Sequence, residues 1–129
     1  MSSTELLLIA VVALFALMAY RMMPVKGIAA VSADELQERL GKAKKSESQF
    51  IDVREPFEYQ AGHVPGFRNV PLSQLKNRMQ DIDKSKDVVV MCRSGARSMQ
   101  AAKLLKKNGV PRVLNVTGGI SRWTGKVEK

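Results

Sequence analysis

The chain has 129 residues, with 21 Lys+Arg against 12 Asp+Glu for a formal net charge of +9, and a single cysteine. That length suits one domain with at most an appendage, and one cysteine excludes both an internal disulfide framework and a Cys-rich zinc site. The basic excess points to anionic partners such as an inner membrane leaflet or small anions. No nucleic-acid partner is expected, because no aromatics interleave with the lysines as a single-strand groove requires.

A tail of residues 1–5 precedes LLLIAVVALFALMAY, Leu6 to Tyr20, which carries no charge. Crossing a bilayer takes about 20 mostly apolar residues, range about 17–25. Residues 6–23 suffice if Arg21 extends its head to the polar surface. A buried core helix would show a polar face, and none is visible. A cleaved signal peptide would open on Lys or Arg, whereas MSSTE has neither and carries Glu5; a small-x-small pattern at Ala30-Val31-Ser32 lies well beyond the apolar run. The expectation is one transmembrane helix over residues 6–23. Arg21 and Lys26 follow it while the N-terminus lacks basic residues, so the rest of the chain is expected on the cytoplasmic side of the cell membrane.

Residues 24–31 read as a linker leading into a first strand, and a domain is expected over residues 28–129. Ser32-Ala-Asp-Glu35 has the capping-box arrangement, so a helix runs to about Leu40. GKAKKSESQ is a polar, lysine-rich surface loop. Phe50 to Val53 reads as a buried strand, followed by a short helical stretch, EPFEYQAG, with Pro56 suited to its first turn. After a turn at Pro65-Gly66 comes a strand near Asn69 to Leu72, and Ser73 can cap a helix over SQLKNRMQDI. Val88 to Met91 is the clearest strand. A helix from Ser98 through Lys107 stops at Gly109. Val113 to Val116 is the last strand, and a short terminal helix contains Trp123. Alternating strands and helices imply an α/β fold, a parallel sheet with helices on both faces. Sites in such folds lie at the carboxyl ends of strands, where Cys92 falls.

Cys92 opens the loop CRSGARS. A cysteine reacts as its thiolate, and an unperturbed thiol is only about 3% ionised at pH 7. Arg93, Arg97 and the N-terminus of the next helix should raise that fraction. Ser94, Gly95 and Ala96 are small enough for the backbone to curl around the sulfur, with Gly95 available for positive φ, and successive N–H groups make an anion cradle. A strand-end cysteine is otherwise usually buried and inert. The charge and small residues that follow this one argue for a reactive thiol.

Three stretches, IDVREPFEYQAGHVPGFRNVPL, VVVMCRSGARS and VLNVTGGISRW, resemble the single-domain rhodaneses, a sulfurtransferase family. Together they span nearly all of the chain after residue 28. Phe67-Arg68 stands where the family has a small residue and then a variable one, and Thr117 where an acidic or apolar residue often precedes the glycine pair. The resemblance implies that Cys92 takes the outer sulfur of a donor such as thiosulfate and passes it, as a persulfide, to cyanide or a thiol. It makes Arg93, Ser94, Gly95, Ala96, Arg97 and Ser98 the substrate-binding loop, with Asp52 and Arg54 bracing it. A basic residue at Arg93 implies thiosulfate rather than mercaptopyruvate. No cofactor and no metal are implied. With no second cysteine, the persulfide needs an external acceptor.

His63 offers itself as a general base by analogy with cysteine proteases, but a lone histidine before a Val-Pro-Gly turn reads as structural. Glu55, Glu58 and Gly118-Gly119 read as capping and turn residues, and Trp123 as a core or interface aromatic. Two other functions compete. A cysteine phosphatase or arsenate reductase needs arginine six positions after the cysteine, where this chain has Ser98, with Arg97 one place early. A membrane-held docking module would use the same fold without chemistry.

Overall fold

The computed structural model describes residues 1–22, 25–41 and 47–129. Most of GKAKKSESQ therefore lies outside the described residues. Helix α1, Ser3–Met22, starts inside the expected tail. The reason is local: Ser2 Oγ accepts the Glu5 backbone N–H at 3.2 Å, and the Glu5 carboxylate accepts the Ser2 N–H at 2.7 Å, a capping box ahead of the apolar run. Every residue from Met1 to Arg21 is exposed, so α1 is not a core helix. It is long and apolar enough to cross a membrane.

The remaining elements are β1 (Ile28–Val31), α2 (Ala33–Gly41), β2 (Ser48–Asp52), α3 (Pro56–Ala61), β3 (Arg68–Asn69), α4 (Leu72–Leu75), a 3-10 helix (Lys76–Asp81), β4 (Asp87–Met91), α5 (Ala96–Lys107), β5 (Val113–Val116) and a final 3-10 turn (Gly119–Arg122). The strands form one parallel sheet in the order β1-β5-β4-β2-β3, as expected. β4 lies at its centre and alternates between two cores. Val88, Val90 and Cys92 face α4 and α5, which supply Leu75, Ala101 and Leu105. Val89 and Met91 face Leu36 of α2 and the Phe50–Phe67 edge-to-face pair. A strand covered on both faces reads as an uninterrupted apolar run, which is why Val88 to Met91 is so plain in the sequence.

Further boundaries depart from expectation. The strand near Asn69 to Leu72 shrinks to two residues: Pro71 lacks a ladder N–H, although Val70 and Leu72 still donate to the Asp52 and Val53 carbonyls at 3.1 and 2.9 Å. Ser73 is not a cap. The helix begins at Leu72 behind Pro71, the Ser73 hydroxyl turns to Glu55 at 3.1 Å, and the helical stretch breaks into α4 and a 3-10 segment with a kink at Arg78. α5 begins at Ala96 rather than Ser98, because Gly95 takes the left-handed conformation at its N-cap (φ 107°). Trp123 sits just beyond the last 3-10 turn and packs on the second core.

The connection after β2 runs outward to β3, and that after β4 runs the opposite way to β5. Such a reversal opens a crevice at the carboxyl ends of β2 and β4. Asp52 and Arg54 stand on one side of it and Cys92 on the other.

Candidate active site

Cys92 leaves β4 with its backbone clamped by the 3-10 turn that follows β5. Its carbonyl accepts the Ile120 N–H at 2.9 Å, and the Arg93 carbonyl accepts the Ser121 N–H at 3.1 Å and the Ser121 hydroxyl at 2.7 Å. This approach requires glycine at 119. A Cβ there would overlap the Cys92 carbonyl oxygen and the Arg93 carbonyl, and φ is +58°. The Gly118-Gly119 pair, read from sequence as a turn, therefore holds the cysteine loop in place.

The loop folds its polar atoms onto the sulfur. The Gly95 N–H donates to Cys92 Sγ at 3.0 Å, and the Ser98 hydroxyl, carried one turn into α5, lies 3.3 Å from it. Burial pushes the thiol up, but the Ser98 hydroxyl and the backbone N–H groups of Ser98, Gly95 and Ser94 outweigh it, and the thiol is held below its ordinary range. Of the two causes the sequence suggested, the N–H groups at the start of the helix act on the sulfur, joined by the Ser98 hydroxyl, and arginine charge does not lead. Cys92 is only 1% exposed, while Arg93, Ser94 and Ala96 are exposed around it. A cavity of about 360 Å³ opens beside Ser94 and Gly95, walled by Ile28, Met99, Asn115 and Thr117.

The two loop arginines differ. Arg93 is exposed. Arg97 forks onto Glu58 of α3, with Nη1 2.6 Å from Oε1 and Nη2 2.9 Å from Oε2. Glu58 is held down at about 2, first by Arg97 and against its burial, so it is a carboxylate throughout the physiological range. The first loop is braced separately. Arg54 donates to both Asp52 oxygens (2.8–3.1 Å) and to the Gly62 carbonyl at 2.8 Å, while Asn69 donates to the Asp52 and Arg54 carbonyls. His63 is committed elsewhere. Its ring stacks on Tyr59 at 3.7 Å, Nδ1 lies 2.9 Å from the Tyr59 carbonyl oxygen, and Nε2 is 3.4 Å from Glu128.

The family profile for the rhodanese-like domain matches residues 32–126. The chain belongs to the rhodanese-like family. It is 44% identical over 93 residues, 72% of this chain and 74% of the relative, to the uncharacterized protein YqhL of Bacillus subtilis. It is 40% identical over 93 residues, 72% and 85% of the two chains, to a protein of Allochromatium vinosum named sulfurtransferase. Among solved structures, a rhodanese-like domain protein from Staphylococcus aureus superposes with a TM-score of 0.70 at 27% identity, covering 78% of this chain and 96% of that one.

Within this rhodanese-like domain, Cys92, Ser94, Gly95 and Ser98 come together around one sulfur, and Arg93 and Ala96 rim it. Arg97 faces Glu58, and Asp52 with Arg54 forms a bracing pair. Two residues that sequence reasoning passed over, Asn115 and Ser121, and one that it read only as a cap, Glu58, stand at the candidate site. Asn115 of β5 meets the Ser98 hydroxyl at 2.5 Å and the Gly95 carbonyl at 3.3 Å. Glu58 is more than a cap, and Ser121 anchors Arg93. The only signal for Asn115 was a polar residue inside the apolar run VLNV.

Proposed function

We propose that this rhodanese-like domain is a sulfurtransferase that moves a sulfane sulfur from thiosulfate, or a similar donor, to a thiol or cyanide through a Cys92 persulfide. The observation that carries the reading is the donor set on Sγ, a backbone N–H at 3.0 Å and a hydroxyl at 3.3 Å. Donors aimed at a sulfur stabilise it as an anion, whether thiolate or persulfide. In the first step the thiolate attacks the outer sulfur of thiosulfate, an S–S bond forms on Cys92, the donor's S–S bond breaks and sulfite leaves with the electron pair. In the second, an acceptor thiolate attacks the outer persulfide sulfur and the Cys92 thiolate is restored. Because Cys92 is buried, only the transferred sulfur has to reach it, and the body of the donor stays at the rim formed by Arg93, Ser94 and Ala96.

The apolar helix α1, Ser3–Met22, fits a membrane anchor, with the basic residues Arg21 and Lys26 favouring a cytoplasmic position for the domain. Protease protection of the domain in inverted compared with right-side-out vesicles tests that orientation. Intact-mass measurement after incubation with thiosulfate tests the chemistry. A gain of one sulfur atom on the parent but not on Cys92→Ala supports it, and no gain from thiosulfate or any other sulfane donor overturns it.

The 1% exposure of Cys92 favours one other reading, a docking module that keeps the loop for its shape. A Cys92→Ser protein that retains full cellular function would decide for that reading.

A further inference from the structure

We propose that Glu58 sets the class of sulfur donor, by holding Arg97 with a fixed carboxylate so that singly charged sulfane donors are taken in preference to doubly charged ones. This rests on the sulfurtransferase reading and adds the donor's charge to it. A guanidinium offers its two-pronged edge to the oxygens of a sulfonate in the same way as to a carboxylate. Here Glu58 already occupies both prongs, at 2.6 and 2.9 Å.

Glu58 is also tied in place. It is the third residue of α3 and closes a capping box with Glu55, whose backbone N–H its Oε1 accepts at 3.1 Å. A donor therefore meets Arg97 with a carboxylate beside it, and the pair presents no net charge. Arg93, exposed at the rim, is the loop's other cation. Thiosulfate brings two charges toward a thiolate and Glu58. A donor with one charge at its transferring end meets half that repulsion. Organic persulfides in their ionised form belong to this second class: the Cys92 thiolate attacks the terminal sulfur of R–S–S⁻, the donor's S–S bond breaks, and RS⁻ leaves while Cys92 carries the S–S⁻.

The test compares two simple donors on the full chain in detergent at low ionic strength. Thiosulfate releases sulfite as a dianion, and methanethiosulfonate, a monoanion, releases methanesulfinate; both load the same sulfur. With water-like screening over a separation on the order of 6 Å, deleting one carboxylate charge raises dianion loading about tenfold and monoanion loading about threefold. Rapid-quench intact mass on Glu58→Gln should therefore show the thiosulfate-to-methanethiosulfonate rate ratio rising about threefold. Glu58→Asp, which keeps the charge, should leave the ratio at the parent value, and 1 M salt should erase the difference between parent and Glu58→Gln. A ratio that is unchanged or lowered in Glu58→Gln, or that rises equally in Glu58→Asp, overturns the proposal while leaving the sulfurtransferase reading intact. Failure of thiosulfate, methanethiosulfonate and an organic persulfide alike to load parent Cys92 removes that reading, and this inference falls with it.

Discussion

Asn115, on the strand beside the one that carries Cys92, meets the Ser98 hydroxyl at 2.5 Å, and that same hydroxyl lies 3.3 Å from the Cys92 sulfur. Ser98 has one proton and three acceptors within reach, since the Gly95 carbonyl is 3.1 Å away. A thiolate attracts that proton more strongly than a neutral amide oxygen does. Ionisation of Cys92 and the orientation of Asn115 are thus coupled through one hydroxyl. Ser98→Ala removes the coupling. The thiol should titrate at higher pH than in the parent, followed by thiolate ultraviolet absorbance, and persulfide loading at neutral pH should slow. The variant should also lose about 1–3 kcal/mol in chemical denaturation, because the Asn115 side-chain oxygen is left without its donor.

Gly119 admits no side chain. A methyl group there strikes the backbone of Cys92 and Arg93, and neither can retreat without breaking the hydrogen bonds to Ile120 and Ser121. Gly119→Ala should destabilise the domain by about 2 kcal/mol or more, and persulfide loading should fall because the loop shifts under the sulfur. Gly41→Ala is the control. It has open space where the methyl goes, and its stability should match or exceed the parent's in the same denaturation measurement.

Much of the fold is readable in the chain because local chemistry dictates it. Val88 to Met91 must be buried on both faces, Ser32 caps α2 through its hydroxyl at 3.1 Å from the Glu35 N–H, and Pro56 opens α3. Cys92 and its small-residue loop are legible for the same reason, since the atoms that surround the sulfur follow it directly in sequence. The missed features depend on distant partners. Glu58 and Arg97 are 39 positions apart, and Ser98 and Asn115 are 17 apart. Nothing near Glu58 distinguishes a capping carboxylate from one that also holds a guanidinium. Ser73 failed as a cap because Pro71 fixes the backbone two residues earlier and Glu55 competes for the hydroxyl.

His63 is expected to be dispensable for chemistry. A general base in the transfer would contribute about 100-fold or more. Both His63 ring nitrogens are instead engaged with Tyr59 and Glu128, and its backbone pairs with Glu128 through hydrogen bonds of 2.8 and 2.9 Å. His63→Gln should load persulfide within about twofold of the parent, well short of that 100-fold. A loss of stability in the same variant, read by thermal melting, would reflect the lost Tyr59 stack and the ring contacts to the Tyr59 carbonyl and Glu128. A hundredfold slower transfer would restore the catalytic role.

Glu58 also ties stability to pH. Its carboxyl is held at about 2 instead of 4.5, chiefly by the Arg97 hydrogen bonds and against burial, so the folded protein binds that proton less tightly than the unfolded chain does. The stabilisation is complete above pH 4.5 and is lost as pH falls toward 2. The full shift would correspond to about 3 kcal/mol at neutral pH. Arg97 is 36% exposed, however, and water screens the pair, so about 1–2 kcal/mol is expected. Urea denaturation of parent and Glu58→Gln should differ by that amount at pH 7, and the two curves should converge between pH 4.5 and 2. A gap that persists undiminished at the acid end would mean that Glu58 stabilises through its cap to Glu55, which glutamine keeps only in part, and not through the charge on Arg97.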